Sequence, residues 1–372
     1  MKLLGAACAV LALLSPVAAV AVNLQSPSAG NFVSEKNLSV SSGPRIIKPR
    51  TTWVDGQNAV EWPADPNFAY FGVPLHAIPY CFVNQEAKDK LQHNVWQAMQ
   101  AWMKALGGDP GDVDHRVHGI GHLVTFQWVQ LNCYKDDYQG PHNPGTWNVP
   151  GWEHALAIHL VPSGTSSKAG FRPKEKNNEP GRNYMHLTAI PRNPGDSINA
   201  SPEKLQAFTH ELGHVLGLGH AHQHPDAPIK LRCENLPNMD WVIDFALMKD
   251  EYKHYNSEPD GRKKLQDYLC KRENYDKAVF AGCAFTEYVT NRPGMQVIGP
   301  YDQDSIMHYP TMMHWKDAQG NYHDVMWKSS MPWNPEQATM SHIHPDGSEE
   351  PFHLNIGISK GDVAAVKKRY PA

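Results

Sequence analysis

The 372-residue sequence has few cysteines, 6 in all, and no CxxC pair among them. A cysteine-built zinc module is therefore excluded, and so is a small scaffold held mainly by disulfides. There is no long apolar run beyond the first residues, and hence no membrane-spanning helix in the body of the chain. There is no polybasic block, and 34 basic against 38 acidic residues leave a formal net charge of −4. That balance implies neither nucleic acid nor an anionic membrane as partner. Glycine-rich repeats of the calcium-binding kind are also missing. Histidine, by contrast, is plentiful at 21 residues.

The apolar run that does exist is at the start. Lys2 precedes Leu3 to Leu14, and Ala18, Ala19 and Ala21 follow as small residues suited to cleavage. Residues 1–21 read as a signal peptide, too short to anchor in a bilayer, and the expected product is secreted and extracellular. In that oxidising setting Cys81, Cys133, Cys233, Cys270 and Cys283 remain once Cys8 is removed. An odd number allows at most two disulfides, and their pairing is open. Asn37 and Asn199 open N-x-S/T sequons. Residues 22–72 are polar and rich in Pro, Ser and Asn, and read as a pro-segment or loose N-terminal extension. Within it Asp55 offers a carboxylate that can block a metal, although Asp55-Gly56 reads more simply as a turn.

From Val73 the sequence turns into alternating element signals. Ile78–Val83 reads as a strand. Leu91, Val95, Met99, Trp102 and Leu106 recur at helical steps within 84–106, and Gly107-Gly108-Asp109-Pro110 ends that helix. Leu123–Leu131, Ala155–Val161 and Tyr184–Ile190 are strand candidates. The last of these precedes the next helix and is placed to pair with an extended substrate backbone. Residues 163–182 read as a solvated loop. His115, His118 and His122 read as a polar sheet edge rather than a second metal site, because no carboxylate is in step with them.

The densest chemistry is in His210-Glu211-Leu212-Gly213-His214-Val215-Leu216-Gly217-Leu218-Gly219-His220. Ser201-Pro202-Glu203 starts a helix, and Leu205, Phe208, Leu212, Val215 and Leu216 give it a buried stripe. Residues four apart share a face, so His210 and His214 present two imidazoles to one point. Gly217 is suited to end the helix in a left-handed turn, after which His220 can return as a third ligand. Three protein ligands with a fourth position open is the arrangement of a catalytic zinc. Glu211 stands where its carboxylate can reach a water polarised by that metal. The pattern H-E-x-x-H-x-x-G-x-x-H is the metzincin protease signature.

A second motif, Tyr301-Asp302-Gln303-Asp304-Ser305-Ile306-Met307-His308-Tyr309-Pro310, follows the first in the same chain. Together the two resemble the astacin family of metzincins. Ile78-Pro79-Tyr80, the run His220–Asp226, and Gly357–Asp362 with a last helix are similar as well. The resemblance spans roughly residues 75–372 and is specific at the two motifs.

It implies an α+β fold of two subdomains, with a mixed sheet, a long helix and the active-site helix above, and an irregular lower subdomain ending in a C-terminal helix. Residues 73–372 would form the catalytic domain, with an insertion at about 240–295. His210, His214 and His220 would bind one Zn²⁺ per chain. Glu211 would act as general base, and Met307 would be the turn methionine beneath the ligands. Tyr309 would be a fifth ligand that swings away to stabilise the oxyanion. The implied function is a secreted zinc metalloendopeptidase, made as a zymogen and monomeric, acting on protein or peptide substrates without nucleic acid or membrane partners.

Two rival readings stand beside this one. One is a protease of another metzincin branch, such as the serralysin-like enzymes, whose calcium repeats this chain lacks. The other is a catalytically inactive protein that uses the cleft for binding, against which Glu211 argues. The sequence also departs from the family, which usually carries a glutamate directly after the third histidine, linked to the new N-terminus after activation. Here Ala221 stands in that place. In the long segment after the zinc helix, Lys263–Tyr275 reads as a helix, and a local disulfide among Cys233, Cys270 and Cys283 is expected. Trp315, Trp327 and Trp333 read as packing for an irregular subdomain. Ser359 with Asp362 at the third position opens a final helix, which Val363, Val366 and Tyr370 dock on the core.

Overall fold

A ten-residue strand, β3 (Val73–Phe82), is the spine of the fold in this computed structural model. The structure describes residues 54–55, 60–70, 73–107, 124–174, 179–191, 199–236, 239–271, 295–296, 298–316, 322–326 and 331–371. The signal peptide, Asn37, the histidines at 115, 118 and 122, Cys8, Cys283 and Trp327 lie outside the described residues. In chain order, β1 (Val54–Asp55) and β2 (Asp65–Tyr70) precede β3, and α1 (Gln85–Leu106) follows it. Next come β4 (Val124–Trp128), β5 (Leu156–Leu160), β6 (Ser166–Ser167), β7 (Asn183–Leu187) and the motif helix α2 (Pro202–Val215). The later part holds β8 (Ile229–Leu231), α3 (Met239–Leu247), α4 (Gly261–Leu269), β9 (Met295–Gln296), β10 (Met312–Lys316) and β11 (Tyr322–Met326). It ends with β12 (Met340–Ile343), β13 (Glu349–Glu350) and α5 (Lys360–Arg369). The fold is α+β, with a mixed sheet of six strands.

In that sheet β3 pairs parallel with β4 and with β5, and β5 pairs parallel with β7. β2 and β6 are antiparallel additions to β3 and β7. Parallel strands are covered on both faces, which is why Ile78, Tyr80, Leu156, Ile158 and Met185 on one face and Ala77, Cys81 and Ala157 on the other are all buried. The expected strand Tyr184–Ile190 is present as β7, but it is interior. Ser166 and Ser167 fold back onto it as β6 and take the edge. Residues 163–182, read from sequence as solvated loop, therefore supply the sheet's edge strand. Their small polar residues gave no alternation by which to see it.

Helix α1 forms where the apolar spacing placed it. Asn84 caps its start by accepting from the Ala87 amide at 2.8 Å, and Gly107 closes it through the Met103 and Lys104 carbonyls. Leu91, Val95, Met99, Trp102 and Leu106 are fully buried, each stabilising the fold by about 1.5–3 kcal/mol. The Trp102 indole also donates to the Thr209 carbonyl at 2.9 Å, tying α1 to α2. The last residues of the N-terminal extension are not loose. Trp62 is fully buried and donates to the Val215 carbonyl at 2.9 Å, at the end of α2. Asp55 lies in β1 opposite Met295, in a strand rather than a turn.

The lower half is built of short elements. β12 sits between β8 and β13, and the half-buried Trp333 donates to the Glu349 carbonyl at 3.2 Å. In the long segment after α2, α3 and α4 enclose a separate small core of Leu236, Val242, Ile243, Ala246, Leu265 and Leu269. The expected local disulfide is Cys233–Cys270, and Cys81 pairs with Cys133. No helix among the described residues is long and apolar enough to cross a membrane.

The Cys233–Cys270 bridge closes a loop of sequence separation 37, which in the chain-entropy account constrains the unfolded state by about 4 kcal/mol. Replacing both cysteines by serine is expected to lower unfolding stability by up to about that amount. Denaturant melts of wild type and variant, monitored through the insertion, would show it, and coincident melts would contradict it.

Candidate active site

Helix α2 delivers the site. His210 and His214 lie one turn apart on its last two turns, and the helix ends at Val215. Gly217 then adopts φ +95°, and its N–H bonds the His214 carbonyl at 2.7 Å. A side chain there would be strained and would also run into Arg369 of α5. The turn brings His220 back, and one nitrogen from each of His210, His214 and His220 falls within a common span of 4.8 Å.

The hydrogen bonds decide which nitrogens face inward. His210 Nδ1 donates to the Ile306 carbonyl at 2.9 Å, and His214 Nδ1 donates to the Leu218 carbonyl at 2.8 Å. With Nδ1 carrying the proton, each neutral ring turns a bare Nε2 to the common point, the orientation a metal-ligating histidine needs. Burial pushes His210 down to about 3 and His214 to about 4, so both stay neutral at neutral pH. His214 Nε2 and His220 Nε2 stand 3.0 Å apart. A proton on the His220 Nε2 can bridge that distance, and three imidazole nitrogens gathered at one point are the donor set of a zinc-type ion.

Glu211 faces the same region and is 5 % exposed. Ser167 of the edge strand donates to its Oε2 at 2.6 Å and to its main-chain carbonyl at 3.0 Å. This serine holds the carboxylate in place, and it lay hidden in a stretch whose composition said only loop.

The second motif passes beneath α2. Met307 is fully buried and lies so close to Gly213 that a Cβ there would overlap its sulfur. The glycine between His210 and His214 is what admits the methionine. The fully buried Ala221 donates its N–H to the Met307 carbonyl at 3.0 Å, joining the loop to the 3-10 turn that follows His220. Tyr309 packs its ring 4.2 Å from that of His220 and 4.6 Å from that of His222, the latter stacked. His308 Nδ1 donates to the Tyr309 carbonyl at 2.7 Å, and its Nε2 accepts from the Tyr301 hydroxyl at 2.9 Å. These bonds fix the backbone that carries Tyr309.

The turn is anchored by a residue the sequence identified only as a helix cap. Asp362 of α5 accepts from Ser305 Oγ at 2.6 Å and from the Ile306 N–H at 2.9 Å. It completes the capping box by accepting from the Ser359 N–H at 2.9 Å, while its own N–H donates to Ser359 Oγ. One buried carboxylate thus starts α5 and holds the loop whose Ile306 carbonyl orients His210.

No protein-family model matches the sequence, and no curated protein matches it. The chain is similar to several solved structures, two of which follow. One is myroilysin, 16 % identical, over 86 % of this chain and 98 % of that one, with a TM-score of 0.40. The other is high choriolytic enzyme 1, a hatching enzyme zinc-protease of the medaka fish Oryzias latipes. It is 14 % identical, over 82 % of this chain and 92 % of that one, with a TM-score of 0.36. The case for chemistry in this chain rests on the site itself.

Burial pushes the Asp362 carboxyl up from 3.8 to about 6, against the pull of its donors, and the nearby Asp302 adds to the rise. A carboxyl raised in the folded state contributes its full stability below about pH 4 and loses it as the pH climbs through about 6. Across that window the loss amounts to about 3 kcal/mol. The stability difference between wild type and Asp362→Asn is therefore expected to shrink between pH 4 and pH 6.5. Unfolding free energies at the two pH values measure it, and a constant difference would exclude the titration.

Proposed function

We propose that this chain is an exported zinc-dependent endopeptidase of the astacin-like metzincin type, hydrolysing peptide bonds in protein substrates. The observation that carries the reading is the convergence of His210, His214 and His220 beside a buried, hydrogen-bonded Glu211. A purely structural metal would have no use for that acid. His210, His214 and His220 are the residues that would hold the ion. Zinc, when bound there, supplies an acidified water and polarises the scissile carbonyl.

The chain's own groups then have distinct tasks. Glu211 Oε2, held by Ser167, takes the proton of the attacking water and later returns it to the leaving amine. Tyr309, its ring packed against those of His220 and His222, donates its hydroxyl hydrogen to the oxygen on which charge develops. The edge strand β6, antiparallel to β7, can accept an extended substrate as one further strand, its main chain giving affinity and its neighbours specificity. The leader-like residues 1–21 and the two disulfides support work outside the cell. The polar residues ahead of the packed region support a zymogen.

The test is casein hydrolysis by the purified chain with and without a chelator. Chelation is expected to abolish activity, and zinc to restore it. Glu211→Gln is expected to lower turnover by about 10²–10⁴-fold with zinc still bound, and activity surviving both treatments would refute the assignment.

Tyr309→Phe separates two roles. Loss of one oxyanion donor costs about 10²–10³-fold in kcat, with the zinc content unchanged. If elemental analysis instead found the zinc gone, Tyr309 would be a ligand first and a donor second.

A further inference from the structure

From the facing side chains of His342, His344 and Glu350, we infer a second site for a divalent cation of the zinc class, on the β12–β13 hairpin. One donor atom from each of the three lies within a span of 4.8 Å. His342 Nδ1 is 3.1 Å from Glu350 Oε1, and His344 Nε2 is 3.3 Å from Glu350 Oε2. The two contacts go to different carboxylate oxygens and the first is a hydrogen bond; a tetrahedral ion with bonds of about 2.1 Å separates its ligand atoms by about 3.4 Å, so the three side chains stand within reach of one.

Backbone geometry explains why the three meet. Residues two apart on a strand share a face, and His342 stands directly opposite Glu350 in the β12–β13 register. The loop between them is closed by the His344 N–H to the Ser348 carbonyl at 2.9 Å and the Gly347 N–H to the His344 carbonyl at 2.9 Å. Asp346 adds a bond from the Ser348 N–H at 2.9 Å. A ligand set on so constrained a hairpin needs little ordering when an ion arrives.

Charge divides the two neighbouring acids. Glu349, on the opposite face, is bound by Arg232 at 2.8 Å, Lys230 at 2.8 Å and Ser341 at 2.6 Å, and is fully engaged in an ion-pair cluster. Glu350 faces the two imidazoles and the Gln303 side chain. Two imidazoles with one carboxylate favour zinc over calcium or magnesium, which take oxygen donors. The side chains of His342, His344 and Glu350 are 14 %, 36 % and 45 % exposed, which leaves the remaining position to water.

The location gives the ion a structural task. Beyond Glu350, Phe352 exchanges hydrogen bonds with Thr311, its N–H donating to Thr311 Oγ1 at 2.8 Å and its carbonyl accepting from the Thr311 N–H at 3.0 Å. Thr311 follows Tyr309 by two residues. The Phe352 ring also lies 4.2 Å from His308 and 5.9 Å from His342. An ion on the hairpin would thus brace the strand that supports the Tyr309 segment.

The test is a zinc count on the tag-free chain, stripped by chelator and titrated with Zn²⁺, using native mass spectrometry and elemental analysis. Wild type is expected to bind two equivalents and His344→Ala/Glu350→Gln one. His210→Ala/His214→Ala is expected to keep the hairpin equivalent, and all four changes together to keep none. Glu350→Gln alone, a near-isosteric change at a part-exposed position, should weaken the hairpin equivalent by at least about tenfold. A single equivalent in wild type, or a second that survives His344→Ala/Glu350→Gln, would overturn the site. An unchanged count in His210→Ala/His214→Ala would instead count against the catalytic ligand set, so the two assignments fail separately.

Discussion

The buried Asp362 carboxylate is the interaction on which the site depends. It accepts from Ser305, Ile306 and Ser359, and so joins the first turn of the last helix to the loop under the metal-ligand helix. Ile306 passes the constraint on, because its carbonyl accepts from His210 Nδ1. Five residues from three separate stretches of the chain are thus held in one chain of hydrogen bonds, in a region with no exposure at Ser305, Ile306, Met307 or Asp362. Such a network is strong only while every member is satisfied. Loss of its acid would leave buried donors unpaired and would loosen the His210 tautomer with them.

Around this anchor the ligand set is ordered by backbone carbonyls rather than carboxylates. Ile306 and Leu218 take the Nδ1 protons of His210 and His214. Neutral acceptors fix the ring orientation without adding charge, and Ser167 steadies the buried Glu211 from the sheet edge. On the function proposed above, β6 would both support the general base and offer its outer side for pairing, so a change at Ser167 would be felt in the base even if substrate pairing were untouched.

Much of this was legible before any coordinates. The period of α1, the cap of α5 and the spacing of His210, Glu211, His214 and His220 are local signals, and each maps to one element. The glycines at 213 and 217 are readable in retrospect, one making room for Met307 and the other turning the chain. What stayed hidden is nonlocal. Ser167 reaches Glu211 across 44 residues, and Asp362 reaches Ser305 across 57. Neither stretch carries a periodicity that reveals such a partner. The same reason made β7 seem an edge strand, since pairing order in a sheet is set by a segment elsewhere in the chain. The facing of His342, His344 and Glu350 likewise requires the hairpin register, which His-x-His alone does not supply.

Ala221 shows how the fold manages where the family pattern stops. Its side chain is fully buried in the main core, and its N–H is spent on the Met307 carbonyl. A glutamate in that place would carry a charge into a volume closed to water, which costs several kcal/mol per ion unless a cation answers it. With alanine that requirement is absent. The 3-10 turn beyond His220 is tied to the Met307 carbonyl through the Ala221 N–H and closed by its own backbone bonds, while Trp62 secures the far end of α2 by donating to Val215. Support for this part of the chain is distributed over a buried indole, a main-chain bond and the Asp362 network. Removal of any one of them would therefore weaken the site by degrees, whereas a single buried ion pair fails all at once when one partner is lost.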